Sequence, residues 1–192
     1  MRNFEIVDLP ELDLLSEMKM MMKEGMISWN DGNQIGITTS QDGPDDIHYC
    51  IGSLGISWDA STSEMDHYGN TKLTVPDKPT IRSEFDFNRL CSVYRGTLFE
   101  EVYDVLTERY KIGRIRLMKL EPKTCLSWHY DTNIKRLHFP IKTQKQCYMV
   151  IEDEVLHLKE NTWYKADTTK YHTVFNAGFE SRIHLVAVIE EK

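Results

Sequence analysis

Two rhythms of apolar residues run along this chain of 192 residues, and the second replaces the first near residue 110. Leu12, Leu15, Met18 and Met22 recur at the spacing of one helical face, between Pro10 near a first turn and Gly25 as a stop, and predict a helix over residues 9–23. A methionine stripe at this spacing reads as core packing rather than as a cofactor box. Leu98, Val102, Val105 and Leu106 repeat the pattern behind Thr97-Leu98-Phe99-Glu100, a capping-box sequence. They predict a second helix that ends near Tyr110 and lays its stripe on the outside of a sheet. Between the two helices, glycines punctuate short apolar runs such as Ile35-Gly36-Ile37 and His48-Tyr49-Cys50-Ile51, which read as short strands and turns. Residues 59–79 are polar and are expected to form a long exposed loop, either bordering a substrate pocket or ordinary surface.

From Arg114 the period shortens to two. Arg114 to Leu120, Cys125 to Asp131, Arg136 to Thr143, Cys147 to Ile151, Val155 to Leu158, Thr162 to Lys165, His172 to Asn176 and Arg182 to Ile189 read as about eight short strands separated by turn residues. Strands of this length and spacing after helices predict a mostly β protein with flanking helices, its core a jelly-roll barrel or double-stranded β-helix. A single domain is expected over 1–192, in which 1–110 flanks a core at 111–192.

Two of these strands carry charge on one face. Arg182, His184 and Val186 alternate with Ile183, Leu185 and Ala187, and Arg136 and His138 alternate with Leu137, Phe139 and Ile141. A barrel strand of this kind turns its cation inward. Burying guanidinium groups without an anionic partner is costly, so an anionic ligand is the simpler explanation of both; a salt bridge from Arg136 to a surface glutamate is the other. A guanidinium at the far end of a pocket can clamp a carboxylate by a bidentate pair.

His129-Tyr130-Asp131 adds a candidate metal site. Alternate side chains of an extended strand share a face, so His129 and Asp131 point the same way while Tyr130 faces elsewhere. His172, farther along the chain, can complete the set. Two imidazoles and one carboxylate on one face of an octahedral ion leave three positions open, as non-haem Fe(II) needs to hold a co-substrate and dioxygen together. His-x-Asp by itself arises easily by chance among seven histidines, and each of these residues has an ordinary role open to it in a core, a surface or a turn. Trp128, beside the first histidine, reads as pocket wall or packing.

The surrounding pattern decides between these readings. Trp163-Tyr164-Lys165-Ala166-Asp167, then Tyr171-His172-Thr173-Val174-Phe175-Asn176-Ala177-Gly178, then Arg182-Ile183-His184-Leu185-Val186 resemble the iron- and 2-oxoglutarate-dependent oxygenases, and among them the aspartyl/asparaginyl beta-hydroxylase group. Arg136-Leu137-His138-Phe139-Pro140-Ile141 is similar to the group's Arg-x-His-x-Pro/Leu strand. The resemblance covers about the last eighty residues. It implies Fe(II) held by His129, Asp131 and His172, the same three being the catalytic set. It also implies 2-oxoglutarate bound with help from Arg136 and His138, its far carboxylate anchored by Arg182. The implied reaction consumes dioxygen, decarboxylates 2-oxoglutarate to succinate and hydroxylates an unactivated carbon of an amino acid or peptide. Asp167 is given a loop or cap role and is kept out of the metal set, as are His157 and His184. The chain departs from some members of the group in having Asp131 where they have glycine, and it has Met118 near the place of a serine that contacts 2-oxoglutarate.

Composition removes other classes. A net charge of -7 argues against a nucleic-acid backbone as partner. Cys50, Cys91, Cys125 and Cys147 are scattered without a Cys-x-x-Cys pair and read as reduced, mostly buried thiols. No apolar stretch approaches a membrane span, and the expectation is a cytoplasmic protein with no membrane partner. Two alternatives stay open: a non-catalytic cupin-like module that binds metal or ligand without turnover, and a cupin enzyme that does not use 2-oxoglutarate. The latter usually has three or four histidine ligands, so Asp131 and Arg182 argue against it.

Overall fold

The structure is a computed structural model and describes residues 2–29, 32–52, 63–65, 71–73, 83–131 and 134–192. In chain order its elements are β1 (Phe4–Ile6), α1 (Leu14–Lys23), β2 (Gln34–Gly36), β3 (Thr38–Thr39), β4 (Ser63–Met65), β5 (Thr71–Leu73), β6 (Arg89–Leu90), α2 (Leu98–Arg109), β7 (Tyr110–Leu120), β8 (Thr124–Cys125), β9 (Lys135–Lys142), β10 (Cys147–Ile151), β11 (Glu154–Leu156), β12 (Tyr164–Ala166), β13 (His172–Asn176) and β14 (Arg182–Glu191). One sheet has the order β1-β12-β9-β14-β7-β2, and a second has the order β11-β10-β13-β8. From β7 onward the chain passes back and forth between these two sheets, and every pairing within them is antiparallel. That connectivity is the double-stranded β-helix the period-two segments predicted.

The alternation along the central strands explains why the larger sheet forms. Ile183, Leu185 and Ala187 of β14, Ile115 and Leu117 of β7, and Leu137, Phe139 and Ile141 of β9 all enter one core with Leu14, Met18 and Met21 of α1 and Phe99, Val102 and Leu106 of α2. Each fully buried side chain of this size contributes about 1.5–3 kcal/mol. The helices thus cover the outer face of the sheet, as expected. A smaller cluster of Phe4, Met149, Ile151, Leu158, Tyr164 and Val174 closes part of the space between the two sheets. The residues that alternate with the outer core are left facing what remains of that space.

Several local expectations are corrected. α1 starts at Leu14 behind an Asp13 cap rather than near Pro10, because the Asp13 carboxylate accepts the Ser16 N–H at 3.1 Å. Gly25 does end it, at φ 73°. At α2 the Thr97 hydroxyl caps Phe99, but Glu100 turns outward to Gly96 N–H and Arg95 rather than closing a box on Thr97. His48 to Cys50 form a turn, begun by the Asp46 carboxylate accepting the His48 N–H, and not a strand. Cys125 to Asp131 is not a continuous strand either: β8 stops at Cys125, and only His129 bridges again to β13, the strand that β8 pairs with. The loop expected at 59–79 lies mostly outside the described residues, apart from β4 and β5, which pair with each other. All four cysteines are free, and Cys125 alone is exposed.

One glycine positions the site. A Cβ on Gly113 of β7 would lie 2.7 Å from the Glu84 carbonyl oxygen and 3.1 Å from the Phe85 Cα, so only glycine lets the turn Glu84–Asp86 sit this close to β7. The turn is held by Ser83 and Asp86, which cap each other's backbone. It sets the Glu84 carboxylate against the inner face of the sheet.

Candidate active site

The inner faces of β7, β9 and β14 line a cavity of about 700 Å³ between the two sheets. Arg114, Arg116, Arg136, His138 and Arg182 reach it from the larger sheet, and His129, Asp131 and His172 border it from the other side. All six residues singled out by the sequence therefore share one space. Tyr130 also borders the cavity instead of facing away, whereas Trp128 stands outside and stacks on Tyr171 at 6.3 Å.

His129 and His172 are brought together by main chain. Each donates its backbone N–H to the other's carbonyl, at 3.1 and 2.8 Å, and the two rings lie 4.3 Å apart. The Nδ1 atom of His129 is 2.8 Å from the Ser127 carbonyl, and that of His172 is 2.9 Å from the Lys170 carbonyl. A carbonyl only accepts, so both Nδ1 atoms carry a proton, which in a neutral ring leaves the lone pair on Nε2. This is the tautomer in which a histidine binds metal. Burial lowers the pKa of His172 further toward the neutral form, although its hydrogen bond to Lys170 opposes this.

Asp131 completes the set less directly. Its Oδ2 is 4.0 Å from His172 Nε2, longer than the roughly 3.0 Å between neighbouring ligands on one face of an octahedral ion with bonds of about 2.1 Å, so the carboxylate would have to swing toward the histidines to join them. Its carboxylate is turned onto Arg136, which donates from Nε at 2.6 Å and from Nη2 at 2.9 Å. Burial alone would raise the pKa of Asp131, but these bonds and the Arg136 charge outweigh it and hold the acid at about 2. Among the described residues no three His, Cys, Asp or Glu side chains converge closely enough to enclose an ion. By type, the donor set of two imidazoles and one ionised carboxylate fits a divalent cation.

The two arginines behave differently. Arg136 was expected to bind an anionic ligand, yet the structure satisfies it internally. Its guanidinium donates to Asp131 and, at 3.0 and 3.1 Å, to Glu84, and these carboxylates outweigh burial and raise its pKa. Arg182 has no such partner among the described residues. It is buried, its Nη2 donates to His184 Nδ1 at 3.0 Å, and its Nε has no partner. Burial pushes it down to about 10. Beside it, the Nε2 of His184 and both ring nitrogens of His138 are buried without partners. A cation and several polar nitrogens orphaned together are the feature an anion such as a carboxylate would satisfy.

His184, Glu84, Arg114 and Arg116 were not singled out from the sequence. Alternation already placed His184 inward with Arg182, and Arg114-Ile115-Arg116-Leu117 repeats the same alternation. No local signal marks Glu84. The expected loop role of Asp167 is met: it accepts from the Thr169 hydroxyl at 2.6 Å.

The buried histidines give the protein a pH dependence. His138 and His184 have pKa values well below 6.5, first because of burial and then because of Arg182. An unfolded chain protonates them below about pH 6.5 while the folded one does not, so stability is fully present above that pH and falls as the pH drops. The loss is up to about 1.4 kcal/mol per pH unit for each. Denaturant midpoints of the ligand-free protein between pH 7 and 5.5 should show this slope, and His184→Gln should make it shallower. An unchanged slope in the variant would place the effect elsewhere.

The chain was compared with known proteins. Residues 83–192 match the family model described as aspartyl/asparaginyl beta-hydroxylase, which is more than half of the chain and extends upstream of the motifs to include Glu84, Arg114 and Arg116. No curated protein matches the sequence. Among solved structures, an oxidoreductase of the 2OG-Fe(II) oxygenase family from Burkholderia pseudomallei is 14% identical, with a TM-score of 0.38 over 41% of this chain and 44% of that one. A cupin-2 domain containing protein from Shewanella frigidimarina is also 14% identical, with a TM-score of 0.32 over 41% of this chain and 70% of that one. With more than half of its length inside the family model, this chain belongs to the aspartyl/asparaginyl beta-hydroxylase family of oxygenases.

Proposed function

We propose that the protein is an Fe(II)- and 2-oxoglutarate-dependent hydroxylase acting on an amino acid or a peptidyl side chain. The observation that carries this reading is one cavity bordered by two histidines whose Nδ1 atoms are taken up by backbone carbonyls and, apart from them, by a buried Arg182 with no carboxylate to neutralise it among the described residues. His129, His172 and Asp131 would hold the metal, and Arg182, with His138 and His184 beside it, would take the distal carboxylate of 2-oxoglutarate. Bound iron would supply the activation of dioxygen that couples decarboxylation of 2-oxoglutarate, to succinate and carbon dioxide, with hydroxylation of the substrate. The residues of the chain do the rest. Arg136 orients the Asp131 carboxylate, the Ser127 and Lys170 carbonyls fix the ring tautomers, and the core between the sheets excludes water from the inner end of the cavity.

The test is anaerobic titration with Fe(II) and 2-oxoglutarate, which should give the visible charge-transfer band of the chelate, followed by admission of air with a panel of amino acids and peptides and measurement of succinate. Absence of both band and succinate would sink the reading. A second reading, a cupin-like module that binds metal or ligand without turnover, is favoured by one observation: the Asp131 carboxylate is closed onto Arg136. It is supported if the band forms and no succinate ever follows.

A further inference from the structure

The two sheets differ in what lies over them. Both helices pack on the outer face of the larger sheet, whereas the outer face of the smaller one has no helix over it among the described residues. Alternation fixes which side chains stand there. Met149, Ile151 and Val174 enter the core between the sheets, so Tyr148 and Val150 of β10 and Thr173 and Phe175 of β13 point outward. Tyr148 pairs with Phe175, their rings 5.4 Å apart, and Val150 pairs with Val155 of β11. The face continues past β13. With the His172 ring at the cavity, the preceding Tyr171 is turned to the outer side, where it meets the Tyr130 ring at 5.9 Å and the Trp128 ring at 6.3 Å. Val155, Trp128, Tyr130 and Tyr171 are between 49% and 59% exposed. This aromatic and β-branched surface contains no Asp, Glu, Lys or Arg, on a chain whose net charge is -7. A contiguous apolar patch of this kind marks an interaction surface.

The charges lie at the two ends of the face, and they are opposite in sign. At one end the turn from β10 to β11 sets Glu152 and Asp153 beside Tyr171, whose N–H the Glu152 carboxylate accepts at 3.1 Å. Lys170, at the same end, is taken up by Asn3 and Asp167. β10 and β8 both pair antiparallel with β13, so their first residues share the other end. Lys145 and Lys123 stand there, the latter 3.9 Å over the Phe179 ring, while the neighbouring Glu180 is paired with Lys142. A face that is neutral in the middle, acidic at one end and basic at the other is complementary to itself turned end for end. We propose that a second copy of this chain docks on it, the two small sheets lying face to face about 10 Å apart. The two-fold axis lies between the faces and runs across the strands. Glu152 and Asp153 of each copy then meet Lys123 and Lys145 of the other, and the neutral middle lets two chains of net charge -7 approach. The surface is large enough. Trp128, Tyr130 and Tyr171 offer roughly 300 Å² at their exposures, and Val155, Phe179 and the half-buried side chains of β10 and β13 bring the face near the roughly 800 Å² that each partner of a stable interface contributes. This docking does not depend on the hydroxylase reading.

The test is sedimentation velocity of the whole protein from about 1 to 100 μM, where an interface of this size associates. A dimer is expected at the upper end, with monomer appearing on dilution. Phe175→Glu places a charge in the middle of the face of both copies and should weaken association by at least about a hundredfold. Val155→Glu, at an exposed position, should weaken it by about tenfold, and it decides the matter if far-UV circular dichroism shows Phe175→Glu unfolded. The two ends are tested by charge reversal. Asp153→Lys and Lys145→Glu should each weaken the dimer by roughly three- to tenfold, and the protein carrying both should return to within about threefold of wild type. Loss in each single variant with recovery in the double one supports the end-for-end arrangement. Three results overturn the proposal. A chain still monomeric at about 100 μM would leave the face to a different partner or to none. A dimer that every folded variant of Phe175 and Val155 leaves intact would use another surface. Charge reversals that do not first weaken and then compensate would mean that the acidic and basic ends do not meet.

Discussion

His172→Ala is expected to lower 2-oxoglutarate turnover by at least about a thousandfold with little loss of stability. Removing a group that merely orients a metal ligand costs about 10- to 100-fold in activity, so removing the ligand itself costs more. The fold should survive because His172 holds its place in β13 through main chain: its N–H and carbonyl pair with His129, and alanine keeps both bonds. What is lost is an imidazole whose Nδ1 proton is committed to Lys170 and whose Nε2 faces the cavity. Succinate release measured beside the thermal midpoint checks both halves. Turnover above about a tenth of wild type would remove His172 from the metal set, and a collapse of the midpoint would make it a structural residue. His129→Ala should behave alike, since its ring is set in the same way by the Ser127 carbonyl.

What the sequence disclosed, and what it did not, follows from how far each interaction reaches along the chain. The strand alternation in Arg182-Ile183-His184-Leu185 and Arg136-Leu137-His138-Phe139 is a local property, and it placed the apolar set in the helix-covered core and the basic set in the cavity. Seven of the eight expected strands were legible for the same reason, and so was the jelly roll they build. The segment before Asp131 was not. An extended run there was reasonable, but the Asp131 N–H goes to the Thr168 carbonyl, so the segment makes a single bridge at His129 instead of a ladder. The role of Arg136 was hidden by distance. Its partner Glu84 lies 52 positions earlier and is set in place by a glycine in β7. No sequence pattern expresses a carboxylate that neutralises two arginines from another part of the chain. This is also why Arg136 and Arg182, similar in pattern, part company in the structure: one is neutralised by carboxylates of the protein and the other meets none among the described residues.

That difference makes Arg182→Met the sharpest probe of the cavity, because its two effects have opposite signs. Methionine nearly matches the length of the side chain while removing a buried cation that no carboxylate of the described protein compensates. Replacing such a charge with an apolar group of similar volume is expected to stabilise the ligand-free protein by about 1–4 kcal/mol. The same change removes the only charged group at that end of the cavity among the described residues. It should weaken 2-oxoglutarate binding by on the order of a hundredfold, about 3 kcal/mol, with Fe(II) affinity little altered. A structural arginine behaves otherwise, and Arg136 supplies the contrast. Cutting it back would strand the buried Glu84 and Asp131 charges and cost about 3–5 kcal/mol. Denaturation of the ligand-free Arg182→Met protein and anaerobic titration of its iron complex with 2-oxoglutarate read the two effects separately. If the variant is less stable than wild type, Arg182 is a scaffold residue like Arg136. If it is more stable and binds 2-oxoglutarate as before, the co-substrate lies elsewhere, and the orphaned nitrogens of His138 and His184 await a different anion. Gain of stability together with loss of affinity is the signature of a charge the fold keeps buried at its own expense in order to hold a ligand.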